Sequence, residues 1–521
     1  MERYDAIVIG GGLLGCFAAR NLARFDLRVA LLEAREDLCT GISRANTAIV
    51  YSGCDTKPGT LKTSMCVRAA QGFLRLCGEL GVRYSPCGSI MVSFGERGAR
   101  ILRNKLHLGT ENGVRGMKLL TREEIFGIEP NIADGAHSGL YVPGTGTVMP
   151  WELCLAAAEN AAANGVDIYM NTEVTRIDGA EPGSRDSEFR FRVVRIRVAT
   201  SRGEFSARYI VNCAGMAADS IFEMVSEPIV RIAPTAGDYY VLDTKAAGHI
   251  SHVIFHEPEQ KGKGLTLVPT VDGNILVGPT ERPGDNFRTE AEGLDELRGL
   301  VAQVVPSLPI EHIIRSFGAV RPNPQWNAEN SEFGIRNSEL HMRNAVESKI
   351  GIRNLESGDT SINDFCILES YGGSVISFIG VKTPGLTCSN ELGMFAAEKA
   401  AAFLGASKNP HFDPLCKPHT RLSDMTFEER ESFANKSDPI DNRIVCRCRG
   451  VSEGEIVDAI HRFPGATTLD GVKRRTGAGS GCCQGGFCAQ RVVELLAREM
   501  RCAPEEITKD GDGSRLFYEK A

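Results

Sequence analysis

The chain has 521 residues, too many for one hydrophobic core, and about two to four domains are expected. With 42% hydrophobic and 24% charged residues it has the composition of an ordinary globular protein, which excludes the disordered and fibrous classes. A formal net charge of −7, with no dense block of lysine or arginine, argues against nucleic acid as the main partner.

The first strand starts almost at Met1 with no signal peptide before it, and the longest apolar stretch, 6–19, is too short to cross a bilayer. A cytoplasmic location without a transmembrane segment is expected; peripheral membrane contact stays open. The stretch itself is informative. An apolar run at 6–9 is followed by Gly10, Gly12 and Gly15 at G-x-G-x-x-G spacing, then by apolar residues at helical intervals, Leu14, Phe17, Ala18 and Leu22. A second apolar run, 29–32, ends on Glu33. Strand, tight turn, helix, strand and acid is the order a dinucleotide site requires. Gly10 permits the turn, Gly12 lets the backbone approach a pyrophosphate, and Gly15 lets the helix pack closely. The helix N-terminus, where Leu14 lies, offers N–H groups to phosphate, and Glu33 can accept from ribose hydroxyls.

Small and polar residues follow, Thr40, Ser43 and Asn46 among them, then a brief apolar run to Tyr51-Ser52-Gly53. From here the chain resembles the FAD-dependent oxidoreductases of the D-amino-acid oxidase type, especially their glycerol-3-phosphate and 2-hydroxyglutarate dehydrogenase branches. In that family this loop passes the flavin and ends in His-Ser-Gly or His-Ala-Gly; Tyr51 is a departure. Further on, helices are expected at 61–80 and 151–164, strands at 82–92, a short helix from Thr121, and a loop at 143–150. A strand over 167–177 carries Val174, whose counterpart in the family touches the adenine end. The run 209–214 leads into Gly215, and this second strand-to-glycine turn, with Ala214, lies beside the pyrophosphate in the family. From 234 to 364 strands with turn signals, including the hairpin Asp272-Gly273-Asn274, read as an antiparallel substrate domain. Its carried-over residues are Lys263 and Arg321. The polar segment 325–352 has no role the sequence discloses. Strands at 365–368 and 375–379 then lead to Gly380, Pro384, Gly385, Leu386 and Thr387 and a long helix to 404. In the family that turn lies against the flavin ring, and the helix N-terminus favours the anionic reduced ring.

Six of the 17 cysteines crowd between Cys446 and Cys502, whereas most of the others are scattered singly as small core hydrophobes. Cys446-x-Cys448 and Cys483-x₄-Cys488, separated by two expected helices and set among glycines, resemble the bacterioferritin-associated ferredoxin-like [2Fe-2S] module. The resemblance implies these four thiolates as ligands and leaves Cys482 a bystander. Zinc is the competing reading.

The fold expected is thus α/β: a Rossmann-like FAD-binding domain with an inserted antiparallel substrate domain (α+β), plus a small helical [2Fe-2S] domain. The oxidoreductase spans 1–408, with FAD-binding parts about 1–85, 150–233 and 365–408 and substrate parts about 86–149 and 234–364. A linker at 409–442, the cluster domain at 443–500 and a tail at 501–521 follow. Nicotinamide transfers only hydride, whereas a cluster carries single electrons, so the two halves together select FAD over NAD. Arg321 is the family's anion anchor. Lys263 is a second anion contact or helps deprotonate an alcohol, and Tyr51, with an ordinary pKa of about 10, is a poor base or a wall residue. Among His249, His252 and His256, only His256 is a candidate for the substrate site. The expected reaction is oxidation of a small anionic alcohol, glycerol 3-phosphate or a 2-hydroxy acid, with electrons passing through the cluster to a one-electron acceptor protein or quinone. Amine oxidation and a non-catalytic electron-transfer subunit are the alternatives.

Overall fold

The structure, a computed structural model, describes residues 1–179, 195–257, 264–327, 360–417, 419–511 and 513–517. Lys263 and residues 328–352 of the polar segment lie outside them.

The short apolar runs become the inner strands of a six-stranded sheet. Its order is Asp167–Tyr169, Val29–Leu32, Ala6–Ile9, Tyr209–Asn212, Val375–Ile379 and Cys366–Ser370; only the last pairing is antiparallel. Parallel strands covered on both faces need apolar side chains at every position, and these have them. Ala6, Val8, Val29 and Leu31 pack with the helices Leu13–Leu22, Pro150–Ala163 and Gly385–Leu404. Ile7, Ile9, Ala30 and Leu32 pack on a four-stranded sheet built from Glu2–Arg3, Val174–Asp178, Ile196–Thr200 and Gly203–Ala207. The strand expected over 167–177 is therefore two strands in two sheets, broken at Asn171, whose φ is +52°.

A nine-stranded sheet forms the second body, dominated by the long pair Val230–Leu242 and Ile313–Trp326. It is not wholly antiparallel. Val253–His256 runs parallel to Ser89–Ser93. Here two separate stretches of chain meet, and no hairpin dictates their relative direction. Two helices that the strand reading passed over, Glu96–Glu111 and Ala291–Val304, cover this body; Leu297, Val301 and Val304 bury one face of the second. The supposed loop at 143–150 contains a strand, Gly146–Val148, paired with Ile49–Val50 and Tyr84–Ser85. Helix Leu61–Leu80 and the Thr121-capped helix Arg122–Ile128 stand where the sequence put them.

The C-terminal region packs helices Glu453–His461, Leu469–Thr476 and Ala489–Met500 around Val472, Val492 and Leu496. The segment before it is fastened down. Asn160 Nδ2 donates to the carbonyls of Asp413 (3.0 Å) and Leu415 (3.2 Å), and Arg20 Nη2 to that of Pro414 (3.1 Å). Among the described residues no helix is long and apolar enough to cross a membrane.

Candidate active site

Two glycine turns at the ends of adjacent parallel strands open one large cavity. Gly10 has φ +103°, and a Cβ on it would stand 2.6 Å from the carbonyl oxygen of Cys213. A Cβ on Gly15 would stand 1.8 Å from the oxygen of Gly10, so the helix sits on the turn only because both are glycine. Gly12 caps that helix without a side-chain bond, and Leu13 N donates to Ser43 Oγ at 3.0 Å. At the second turn Asn212 accepts from Ala214 N (3.2 Å) and donates to the carbonyl of Ala218 (2.8 Å), setting up Gly215 at φ +62°.

The cavity measures about 1330 Å³, more than the roughly 300–1,000 Å³ of ordinary small-molecule sites. Gly10, Gly12, Leu14, Glu33, Val174, Ala214 and Gly215 line one part of it. Thr40, Ser43 and Asn46 contribute a further wall, and Tyr51, Arg321, Pro384, Gly385 and Leu386 another. Gly15, Gly380 and Thr387 do not line the cavity; Gly15 packs the helix on the turn, as its expected role requires. Gly380, at φ +66°, admits Pro324, whose Cδ would be 2.6 Å from a Cβ there. Thr387 is buried, and its Oγ1 accepts from Tyr51 N at 3.0 Å. It ties the Tyr51 loop to the helix N-terminus without facing the cavity.

Glu33 accepts from Gly11 N (2.6 Å) and Arg35 N (2.9 Å), and burial raises its pKa. Arg321, with its side chain 11% exposed, donates from Nη2 to the carbonyl of Thr280 at 3.4 Å and meets Glu281 only at 3.9 Å. Its Nη1 is buried without a hydrogen-bond partner among the described residues. Tyr51 leans on Phe255, ring centroids 6.3 Å apart, and its enclosure pushes the phenol well above its ordinary pKa. It is neutral at physiological pH and no base.

Three side chains in this cavity escaped the sequence reading of the site or were only candidates. Tyr239 stacks on Phe317 at 4.7 Å, and burial raises its pKa against the pull of Arg321. His256 is buried beside Phe94, whereas His252 bonds Glu129 at 2.7 Å and His249 the carbonyl of Ala246 at 3.1 Å. The three histidines share no site. Lys382 donates to Asn323 Oδ1 at 3.1 Å, and burial lowers its pKa, opposed by Glu281. Its place in the run Gly380-Val381-Lys382 was the available signal.

In the C-terminal region Cys448 Sγ lies 3.6 Å from Cys483 Sγ and 3.4 Å from Cys482 Sγ. Two sulfurs on one tetrahedral metal stand about 3.8 Å apart when metal–sulfur bonds are about 2.3 Å. Cys446 hydrogen-bonds Cys488, and that bond, with backbone N–H groups of Gly479, Arg449 and Cys448, brings its thiol down to about 6. Cys446, Cys448, Cys483 and Cys488 supply two pairs of soft thiolate donors, the set a [2Fe-2S] cluster takes.

Residues 5–393 match the FAD dependent oxidoreductase family. The chain belongs to that family. Residues 444–498 of this flavoprotein match the BFD-like [2Fe-2S] binding domain. It is 33% identical to the glycerol 3-phosphate dehydrogenase of Caloramator mitchellensis over 519 residues, 99% of this chain and 98% of that one. An L-2-hydroxyglutarate dehydrogenase of Escherichia coli is 30% identical over 281 residues, 53% of this chain and 63% of its own. Among solved structures, the dithionite-reduced L-alpha-glycerophosphate oxidase of Mycoplasma pneumoniae with FAD bound superimposes with a TM-score of 0.67 at 24% identity, over 81% of this chain and 100% of its own. The cofactors are FAD and a [2Fe-2S] cluster, and the flavoprotein is an FAD-dependent oxidoreductase of small alcohols, similar to glycerol-3-phosphate dehydrogenases.

Proposed function

We propose that the flavoprotein oxidises glycerol 3-phosphate at its secondary alcohol and sends the electrons through the [2Fe-2S] module to a one-electron acceptor protein or quinone. The observation that carries this is a cavity wall holding two recessed cations, Arg321 and Lys382, in the same cavity as the Pro384–Leu386 turn. The end-to-end likeness to a glycerol 3-phosphate dehydrogenase, cluster module included, favours a phosphoryl anion over a carboxylate.

Bound FAD would supply a hydride acceptor for the carbinol carbon, and a bound cluster would supply one-electron transfer. The chain's own groups do the rest. The glycine turns, Glu33 and the open helix N-terminus hold the dinucleotide. Arg321 and Lys382 grip the substrate anion and aim the carbinol at the turn 384–386. His256 takes the hydroxyl proton, with Tyr51 as a neutral wall and hydrogen-bond donor. Lys263 is assigned to the same anion.

The second reading is a 2-hydroxy acid, favoured by the match to L-2-hydroxyglutarate dehydrogenase. Anaerobic mixing of the holoprotein with glycerol 3-phosphate, 2-hydroxy acids and amino acids separates them. Glycerol 3-phosphate is expected to bleach the flavin at least tenfold faster than the others. A 2-hydroxy acid in first place replaces the substrate, an amino acid replaces the reaction class, and no bleaching at all makes the protein an electron-transfer subunit.

A further inference from the structure

A carboxylate four residues beyond Glu33 reaches across the chain to the cluster module. Asp37 is 1% exposed. Its Oδ2 accepts from Arg474 Nη2 at 2.7 Å and Arg475 Nη1 at 2.9 Å, and its Oδ1 from Arg475 Nη2 at 2.7 Å. The two guanidinium side chains are 3% and 0% exposed. Burial opposes the charge on Asp37, but Arg475 and Arg474 outweigh it and hold the carboxyl below its usual range. Arg475 is also saturated from behind, donating to the carbonyls of Pro464 (2.8 Å) and Gly471 (3.0 Å). The helix Leu469–Thr476 comes this close because position 471 is glycine, where a Cβ would stand 3.1 Å from Asp37 Oδ2. Arg474 continues to Asp510 at 2.7 Å, and Asp510 pairs with Arg44, next to Ser43 of the cavity wall.

Two more anchors lie apart from this one. Arg449, between Cys448 and Gly450 of the cluster loop, donates to Asn274 Oδ1 at 2.5 Å and to the carbonyl of Asp272 at 3.3 Å, both on a hairpin of the nine-stranded sheet. Arg462 meets Glu159, on the helix Pro150–Ala163, at 3.3 Å. One contact would let the module pivot; three separated ones fix both its position and its orientation.

We propose that these contacts form a permanent docking interface, and that Asp37, Arg474, Arg475 and Arg449 are positioning residues that set the flavin-to-cluster distance. The module is a fixed exit, with no swinging phase. This rests on the relay reading above. The two electrons of each hydride leave in two single passes through the cluster, each taken by a one-electron acceptor outside the chain, and the accompanying proton goes to solvent. Charges buried and paired in this way resist screening, so docking should hold at high salt.

The test uses the full chain loaded with FAD and cluster, as parent, Asp37→Asn and Arg449→Gln, with Arg474→Met as a harsher change. Hydrogen exchange is read at residues 37–46 and 469–476. Single-turnover stopped flow with glycerol 3-phosphate follows flavin and cluster bleaching separately. In Asp37→Asn, exchange at both segments should rise at least tenfold and cluster bleaching should slow at least tenfold, while flavin bleaching stays within about twofold. Arg449→Gln should slow cluster bleaching alone, by a smaller factor. Unchanged exchange and unchanged cluster bleaching in Asp37→Asn would overturn the docking proposal. If the parent's cluster never bleaches, the relay reading fails, and exchange at the two segments still decides whether the interface is permanent.

Discussion

Arg321 and Arg475 are the same residue put to opposite uses. Arg475 sits in the module with every visible demand met, two carbonyls behind it and a carboxylate in front. Arg321 is nearly as hidden, yet it has one long bond to a carbonyl, a contact with the Tyr239 phenol, a carboxylate at 3.9 Å and a buried Nη1 with no hydrogen-bond partner among the described residues. A buried guanidinium left short of acceptors is costly unless something else supplies them. A saturated one holds structure together; an unsaturated one beside a cavity keeps donors that an anion could use. The cavity is accordingly expected to house the chemistry, and the module to depend on its packing.

The sharpest division between the two comes from Cys446→Ser with Cys448→Ser. The cluster should be lost, and turnover with the natural acceptor should fall at least a hundredfold, while anaerobic bleaching of the flavin by substrate stays within about twofold. A cluster-free protein with full natural turnover would erase the difference. Next, Arg475→Met should cost the module roughly 3–5 kcal/mol, the range for removing one partner of a buried ion pair. Cluster absorbance in urea should then disappear at a clearly lower midpoint, with substrate-driven flavin bleaching preserved. Arg321→Met should do the reverse. The loss of charged hydrogen bonds, roughly 1.5–3 kcal/mol, lowers kcat/KM at least tenfold, with the thermal midpoint and the flavin spectrum little changed. Equal effects of both arginine changes on stability would break the comparison.

The smallest effect is in pH dependence. Burial lowers the pKa of Lys382, so its positive charge disappears at a lower pH than that of an exposed lysine. KM for an anionic substrate should rise earlier in the alkaline range than a free lysine would dictate. Lys382→Arg, charged throughout, should flatten that rise, and profiles that superimpose would remove Lys382 from the anion site.

The flavin half was legible because its signals are local. A positive φ at Gly10 and a helix seated on the Gly10 carbonyl demand glycine at fixed spacing, and spacing is what a sequence displays. Arg321, Tyr51 and the Pro384–Leu386 turn were reachable through resemblance, and the cavity brings them together. Lys382 lies two residues before Pro384, outside the Pro-Gly-Leu-Thr turn that carries the resemblance. The parallel pairing of Val253–His256 with Ser89–Ser93 joins strands more than 150 residues apart, and either direction satisfies their apolar character. Asp37 and Arg474 are likewise separated by 437 positions, and a lone aspartate after a strand and a pair of arginines on a short helix each look like solvated charge. The polarity of 409–442 predicts a linker, yet carbonyls near its start are partners for Asn160 and Arg20. Polar composition describes side chains, and this contact is made by backbone.

The uneven exposure of the thiols sets the order in which the protein would decay in air. Cys448 and Cys482 are exposed, while Cys16, Cys39 and Cys154 are sealed within the flavin layer, and the pKa values of Cys39 and Cys154 are raised far above normal. Oxidants attack accessible thiolates and largely spare buried protonated thiols. Peroxide would therefore corrode the cluster rim first and reach the sheet cysteines last. An aged preparation should stay yellow and still reduce a dye in the presence of substrate, having lost only its partnership with the physiological acceptor.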